Sequence, residues 1–151
     1  MEIGYRRWKL EISYGKYKMD NGRKTIKGFQ DLEVYHRLYE AMLITLKEIV
    51  PKLPKEEQFD LKDQMRRCCK SAPALVSEGF AKRYQKKNWK KYIEDATGEC
   101  NEMIHHLSVC KDIYYDFVGI EICLKLISEY DISCKQLSAL KSTWINYHSN
   151  D

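Results

Sequence analysis

Trp89, Tyr92, Ile93, Ala96, Cys100, Met103, Leu107, Cys110 and Tyr114 recur at intervals of one, three or four residues. That spacing puts all of them on one stripe of an α-helix, whose period is about 3.6 residues. An apolar stripe of this length must be covered by other elements, so the chain has to supply partners for it.

With three others, this segment makes four that carry helical periodicity. The first runs from Gln30 to Val50, with Leu32, Tyr35, Tyr39, Met42, Leu46 and Ile49 as its apolar positions and Asp31 and Glu33 in its first turn, where acids suit the helix dipole. Pro51 and Pro54, in PKLPKEEQ, stop it. The second runs from Lys55 to Glu78, with Leu61, Met65, Cys68, Cys69, Ala72 and Val76 inward and Gly79 as the residue just past its end. The third, carrying the long stripe, spans Lys87–Tyr115. The fourth runs from Gly119 to Tyr147, with Ile120, Leu124, Ile127, Cys134, Leu137 and Trp144 as apolar positions that drift around the helix.

Only 7 Gly and 3 Pro punctuate the 151 residues, and 44% of them are hydrophobic, enough for a real core. The expected fold is all-α, an up-down-up-down four-helix bundle over residues 29–151. Residues 1–28 show no apolar stripe and carry eight basic against three acidic residues; they read as a mobile basic N-terminal extension with at most a short extended piece. No apolar run approaches the roughly 18–20 residues that span a bilayer, and the first residues lack the apolar core of a secretory signal. No membrane association and a cytoplasmic location are therefore expected. None of the six cysteines forms a C-x-x-C pair, and most fall on apolar positions, as buried free thiols do.

Glu-x-x-His occurs twice, as Glu33/His36 and Glu102/His105, the motif by which di-iron bundles hold their metals. Core ligands must point inward. By helical geometry Glu33 lies about 160° and His105 about 180° from the centres of their apolar stripes. No nucleophile–base pair, Gly-rich phosphate loop or dinucleotide fingerprint is legible. The residues therefore predict no catalytic site, no metal and no cofactor, and a protein that is not an enzyme.

Charge is distributed unevenly. Residues 62–91 hold ten basic and two acidic residues, a net +8, in a chain whose total is +4, while residues 92–151 sum to −6. Arg66, Arg67 and Lys70 lie off the apolar stripe, followed by Lys82, Arg83, Lys86, Lys87, Lys90 and Lys91 around the start of the next helix. Lysines at a helix N-terminus oppose its dipole, a cost that phosphate binding would offset. Tyr84 and Trp89 lie among them, placed to stack on bases. A solvated charged face would produce the same composition, and an acidic protein partner would also suit it. The outer face of the second helix carries Ser71, Ala74 and Ser77 around Pro73, small residues that let another helix approach; they are the expected contact between copies of the chain.

FQDLEVY, then LPKEEQFDLKDQMRRCCKSAPALVSEGF, then YIEDATGECNEM resemble the four helix bundle protein family. That family includes proteins encoded within intervening sequences of bacterial large-subunit ribosomal RNA genes, and it is similar to the accessory variability proteins of diversity-generating retroelements. The resemblance covers about residues 29–147. Gln64, Arg67, Ser71, Pro73, Glu78 and Gly79 match its central motif, and Ala96, Gly98 and Glu102 a later one, with Met103 in a leucine position. Leu75 stands where Asn is usual, Glu99 where Ser is usual, and Cys68 where Ala is common. The resemblance implies a ring-like homo-oligomer, a pentamer, with no enzymatic activity and a basic surface for nucleic acid, RNA ahead of DNA. It also implies an alternative role as a protein-interaction adaptor, such as an accessory subunit of a reverse transcriptase.

Overall fold

The computed structural model describes residues 19–20, 23–24, 26–85 and 88–149. Most of the extension expected over residues 1–28 lies outside them; within it, β1 (Met19–Asp20) and β2 (Arg23–Lys24) pair antiparallel. The rest is helical. α1 is Glu33–Ile44, α2 Leu61–Ala81, α3 Trp89–Ile113 and α4 Ile120–Ser149. Each helix packs on its neighbour in sequence and α1 closes against α4, which is the up-down-up-down bundle.

Local chemistry sets the ends. Asp31 accepts hydrogen bonds from the Lys27 and Gly28 amides, fixing a 3-10 turn before α1. α1 widens into a π-helical turn over Thr45–Ile49 and ends in a 3-10 turn containing Pro51. The expected helix start at Lys55 is instead a separate 3-10 turn, Lys55–Glu57, and Glu57 accepts the Leu61 amide at 3.2 Å as α2 begins. Tyr114 donates its hydroxyl to Glu57, tying the α1–α2 connection to the end of α3. Gly119, at φ 77°, supplies the left-handed residue that the turn into α4 requires.

Three expectations need correction. Gly79 is not past the end of α2 but inside it, because the helix continues to Ala81; there the chain needs no side chain where α3 crosses closely. α1 buries Val34, Leu38, Ala41 and Thr45, while Tyr39 is exposed. α4 buries Cys123, Leu126, Tyr130, Ser133 and Leu137, while Ile120 and Leu124 face outward. The long stripe of α3 is buried from Trp89 through Ile93, Ala96, Cys100, Met103 and Leu107 to Cys110, with Tyr92 and Tyr114 at its margins. Thr45 and Ser133 satisfy their buried hydroxyls on the Ala41 and Glu129 carbonyls.

All six cysteines are free thiols, five of them buried. Burial pushes the Cys69 and Cys110 thiols up to about 12, so they are inert at neutral pH. Among the described residues no helix is long and apolar enough to cross a membrane.

Tyr130 is fully buried, and its hydroxyl lacks a hydrogen-bond partner among the described residues. The neighbouring Thr45 hydroxyl donates to the Ala41 carbonyl and keeps lone pairs free, yet it does not accept from Tyr130 at hydrogen-bond geometry. A buried donor left unmade costs about 1–3 kcal/mol. Tyr130→Phe is therefore expected to stabilise the chain by about 1 kcal/mol, raising Tm by roughly 2–4 °C in thermal unfolding. A fall in Tm would mean that the hydroxyl is satisfied.

Candidate nucleic-acid interface

α2 carries the first group of expected phosphate contacts. Arg66 is half-buried, and Arg67 and Lys70 are exposed. With Asp63, Ser71 and Ala74 they line a shallow depression of about 430 Å³. The second group comes after the helix. Lys82 and Arg83 are half-buried in the turn, and Lys90 and Lys91 are exposed in the first turn of α3. Lys86 and Lys87 lie outside the described residues. From Lys70 to Lys82 the helix advances about 18 Å at roughly 1.5 Å per residue. The cations thus form two groups rather than one continuous surface.

Several of these cations already have partners. Arg67 bridges Glu99 at 3.1 Å and Glu102 at 2.7 Å. Lys91 meets Asp95 at 2.6 Å. The Arg83 guanidinium lies 3.8 Å over the Phe80 ring and 4.2 Å over the Tyr84 ring, and donates to the Phe80 carbonyl. Lys82 sits 5.1 Å over Tyr92. Arg66, Lys70 and Lys90 make no ion pair among the described residues. Among the described residues α3 has no acidic residue in its first turn and no side-chain cap hydrogen bond, so Lys90 and Lys91 face the positive end of its dipole uncompensated there.

The expectation for the aromatics divides. Tyr84 is exposed, beneath the Arg83 guanidinium. Trp89 is buried, edge-on to Trp144 at 5.3 Å, where it seals the end of the bundle; it is not available to stack on a base.

Between the two basic groups lies a groove of about 570 Å³ that the sequence reading missed. Its floor is Ser71, Ala74 and Gly98, and its walls carry Glu78, Glu94, Asp95, Glu99 and Glu102. Ser77, one turn along, donates its hydroxyl to the Ala74 carbonyl. Pro73 is buried within the chain, so the outward small-residue face consists of Ser71, Ala74 and Ser77 without it. A Cβ placed on Gly98 would meet nothing within 4 Å. The signal for this groove was present in the −6 of residues 92–151, but only the packing of α3 on α2 puts that charge beside the small residues. The central and the later motif of the family resemblance also converge here, through Ser71, Glu78, Gly98 and Glu102, and the departures Leu75 and Glu99 line the same groove.

Of the two Glu-x-x-His motifs, Glu33 is exposed and paired with Arg37, and His105 is exposed. His106, half-buried beside it, is the histidine that meets Glu102, at 3.4 Å.

The family model described as 23S rRNA-intervening sequence protein matches residues 30–139. No curated protein and no solved structure matches the chain.

Proposed function

Because the chain belongs to the 23S rRNA-intervening sequence protein family, we propose that it is a non-enzymatic bundle that associates with itself and binds RNA through the cations of α2 and of the α2–α3 junction. The observation that carries the reading is the set Arg66 and Lys70 on α2 and Lys90 in the first turn of α3, exposed or half-buried cations that make no ion pair among the described residues. Phosphate is the ligand such groups recognise, and contacts of this kind read backbone and shape rather than sequence.

Self-association supplies what one chain lacks. A single copy offers two modest basic groups, and a ring of copies multiplies them into an avid surface. The groove and the basic depression adjoin on one face with opposite charge. A contact in which the depression of one copy meets the groove of the next, repeated head to tail, is heterologous and makes a ring where its rotation closes. The pentamer implied by the resemblance is such a ring.

The test is a gel-shift series over several salt concentrations with the Lys86/Lys87/Lys90/Lys91→Ala variant beside the wild type. Each lost phosphate contact lowers the slope of log affinity against log salt by about 0.7 on single strands. The variant is expected to lose up to about three units of slope and to bind more weakly at every salt concentration. Absence of RNA and DNA binding by the wild type at about 50 mM salt would end this reading.

A second reading, an adaptor for a protein such as a reverse transcriptase, is favoured by the far end of the bundle. Phe59 is 94% exposed there, two residues from the Glu57 that meets Tyr114, and Ile113, Tyr115 and Phe117 around that tyrosine also face solvent. Phe59→Asp combined with Phe117→Asp would then abolish capture of a purified reverse transcriptase and leave the gel shift intact.

A further inference from the structure

Cys68 of α2 and Glu102 and His106 of α3 converge beneath Arg67. The Cys68 Sγ, a carboxylate oxygen of Glu102 and a ring nitrogen of His106 all lie within 4.8 Å of one another. Glu102 and His106 are one turn apart at i, i+4, so they share a face of α3, and α2 packs directly against it. The three groups are therefore held by two packed helices rather than by a loop. Cys68 is fully buried and the His106 side chain is 12% exposed, and the cluster adjoins the acidic groove through Glu102, which lines both.

The geometry suits a tetrahedral ion. With bonds of about 2.0–2.3 Å, zinc holds its ligand atoms roughly 3.3–3.8 Å apart. His106 Nε2 and Glu102 Oε1 are already 3.4 Å apart. The donor set of thiolate, imidazole and carboxylate suits zinc or cobalt over magnesium or calcium. The position such an ion would take is covered by a cation of the chain itself. Arg67 Nη2 lies 3.2 Å from Cys68 Sγ and 2.7 Å from Glu102 Oε1. The Arg67 side chain is half exposed and is also held by Glu99, so it can turn toward Glu99 without disturbing the core.

We propose that Cys68, Glu102 and His106 form a binding site for a divalent cation of the zinc class, with Arg67 as its built-in competitor. On binding, the Cys68 thiol releases its proton to solvent and its thiolate joins the metal with the Glu102 carboxylate and the neutral His106 ring. Three protein ligands leave the fourth position to water. The family resemblance places Ala where Cys68 stands, so the site would belong to this chain and not to the pattern as a whole.

Cobalt(II) titration of the reduced, metal-free, full-length protein tests the site. One Co²⁺ per chain is expected, with a thiolate-to-cobalt charge-transfer band in the near ultraviolet and the visible bands of a tetrahedral ion. His106→Ala keeps all six cysteines and should lose the band. Cys68→Ser, checked for folding by circular dichroism, should also lose it. Arg67→Ala should bind at least about tenfold more tightly, because a charge-assisted hydrogen bond no longer competes. A band undiminished in His106→Ala would place the metal on other thiols and overturn the proposal. So would the absence of any band in both the wild type and Arg67→Ala.

Discussion

If the chain forms the ring proposed above, Gly98→Arg is expected to yield a folded, slightly more stable single chain in place of that oligomer. Gly98 lies in the middle of the 25-residue α3, and a Cβ there would touch nothing within the chain. Glycine in a helix interior costs about 0.8–1 kcal/mol relative to alanine, and arginine is close to alanine in propensity. The isolated chain therefore gains about 0.7 kcal/mol or more from the substitution. Nothing inside the bundle explains why the position is bare, whereas a second copy approaching the groove floor formed with Ser71 and Ala74 would explain it. An arginine at 98 fills that floor and pairs with the acidic walls, so it blocks the approach and removes the charge that attracts the basic depression. Light scattering at tens of micromolar should show one chain for Gly98→Arg and several for the wild type. Ala74→Arg, on the facing helix and likewise exposed, should do the same. An oligomer of unchanged mass in both variants would remove the groove from the subunit contact. If RNA binding depends on the ring, both variants should also lose affinity while keeping the cations of α2 and α3.

What the sequence made legible follows from how much each residue's behaviour depends on its own helix. The stripe of α3 could be read directly because it is long and unbroken, and a helix buried on one continuous face shows its period plainly. In α1 the same spacing fits two adjacent stripes. Leu32, Tyr35, Tyr39 and Met42 form one, and Val34, Leu38, Ala41 and Thr45 form the other. Periodicity does not choose between them, since Tyr is apolar in body and polar at its tip. The π-turn over Thr45–Ile49 shifts the face again, and no single-residue signal marks it. In α4 the buried line passes through Ser133, whose hydroxyl is satisfied by its own helix, so a polar letter hid a core position. The candidate site was legible in its cations and not in its geometry. Arg66, Arg67 and Lys70 stood out by charge, but their separation from Lys82 and Lys90, the acidic groove between and the loss of Trp89 to the core depend on how α2 and α3 cross. The Glu-x-x-His motif pointed to His105, whereas the helix turns His106 toward Glu102 and Cys68. Cys68 is distant in sequence from both, and no spacing within one helix announces it.

Gly79→Leu is expected to be the most destabilising single change in the bundle, and it contrasts with the glycine above. Read as a left-handed helix terminator, Gly79 would cost about 1 kcal/mol to replace by almost any side chain, large or small. Inside α2 it faces α3 at close range: a Cβ would come within 3.0 Å of the Ile93 Cδ1 and 3.2 Å of the Tyr92 Cβ. Ile93 is buried, so a large side chain at 79 has no open space to enter beside it. A single added carbon meets mainly the flexible end of Ile93, and the propensity gain of about 1 kcal/mol roughly cancels the crowding, so Gly79→Ala should be close to neutral. Leucine adds a branched side chain that must push the two helices apart at a point where their cores interlock. Overpacking of that kind costs about 1–3 kcal/mol, and separating α2 from α3 adds lost contact between Val76, Phe80, Trp89 and Ile93. The expected loss is about 3 kcal/mol or more, a fall in Tm of roughly 6–12 °C. Urea unfolding in the Gly98→Arg background, where the chain is single, separates this packing cost from any effect of association. Equal losses of about 1 kcal/mol for Gly79→Ala and Gly79→Leu in that background would mean that α2 ends before residue 79 after all.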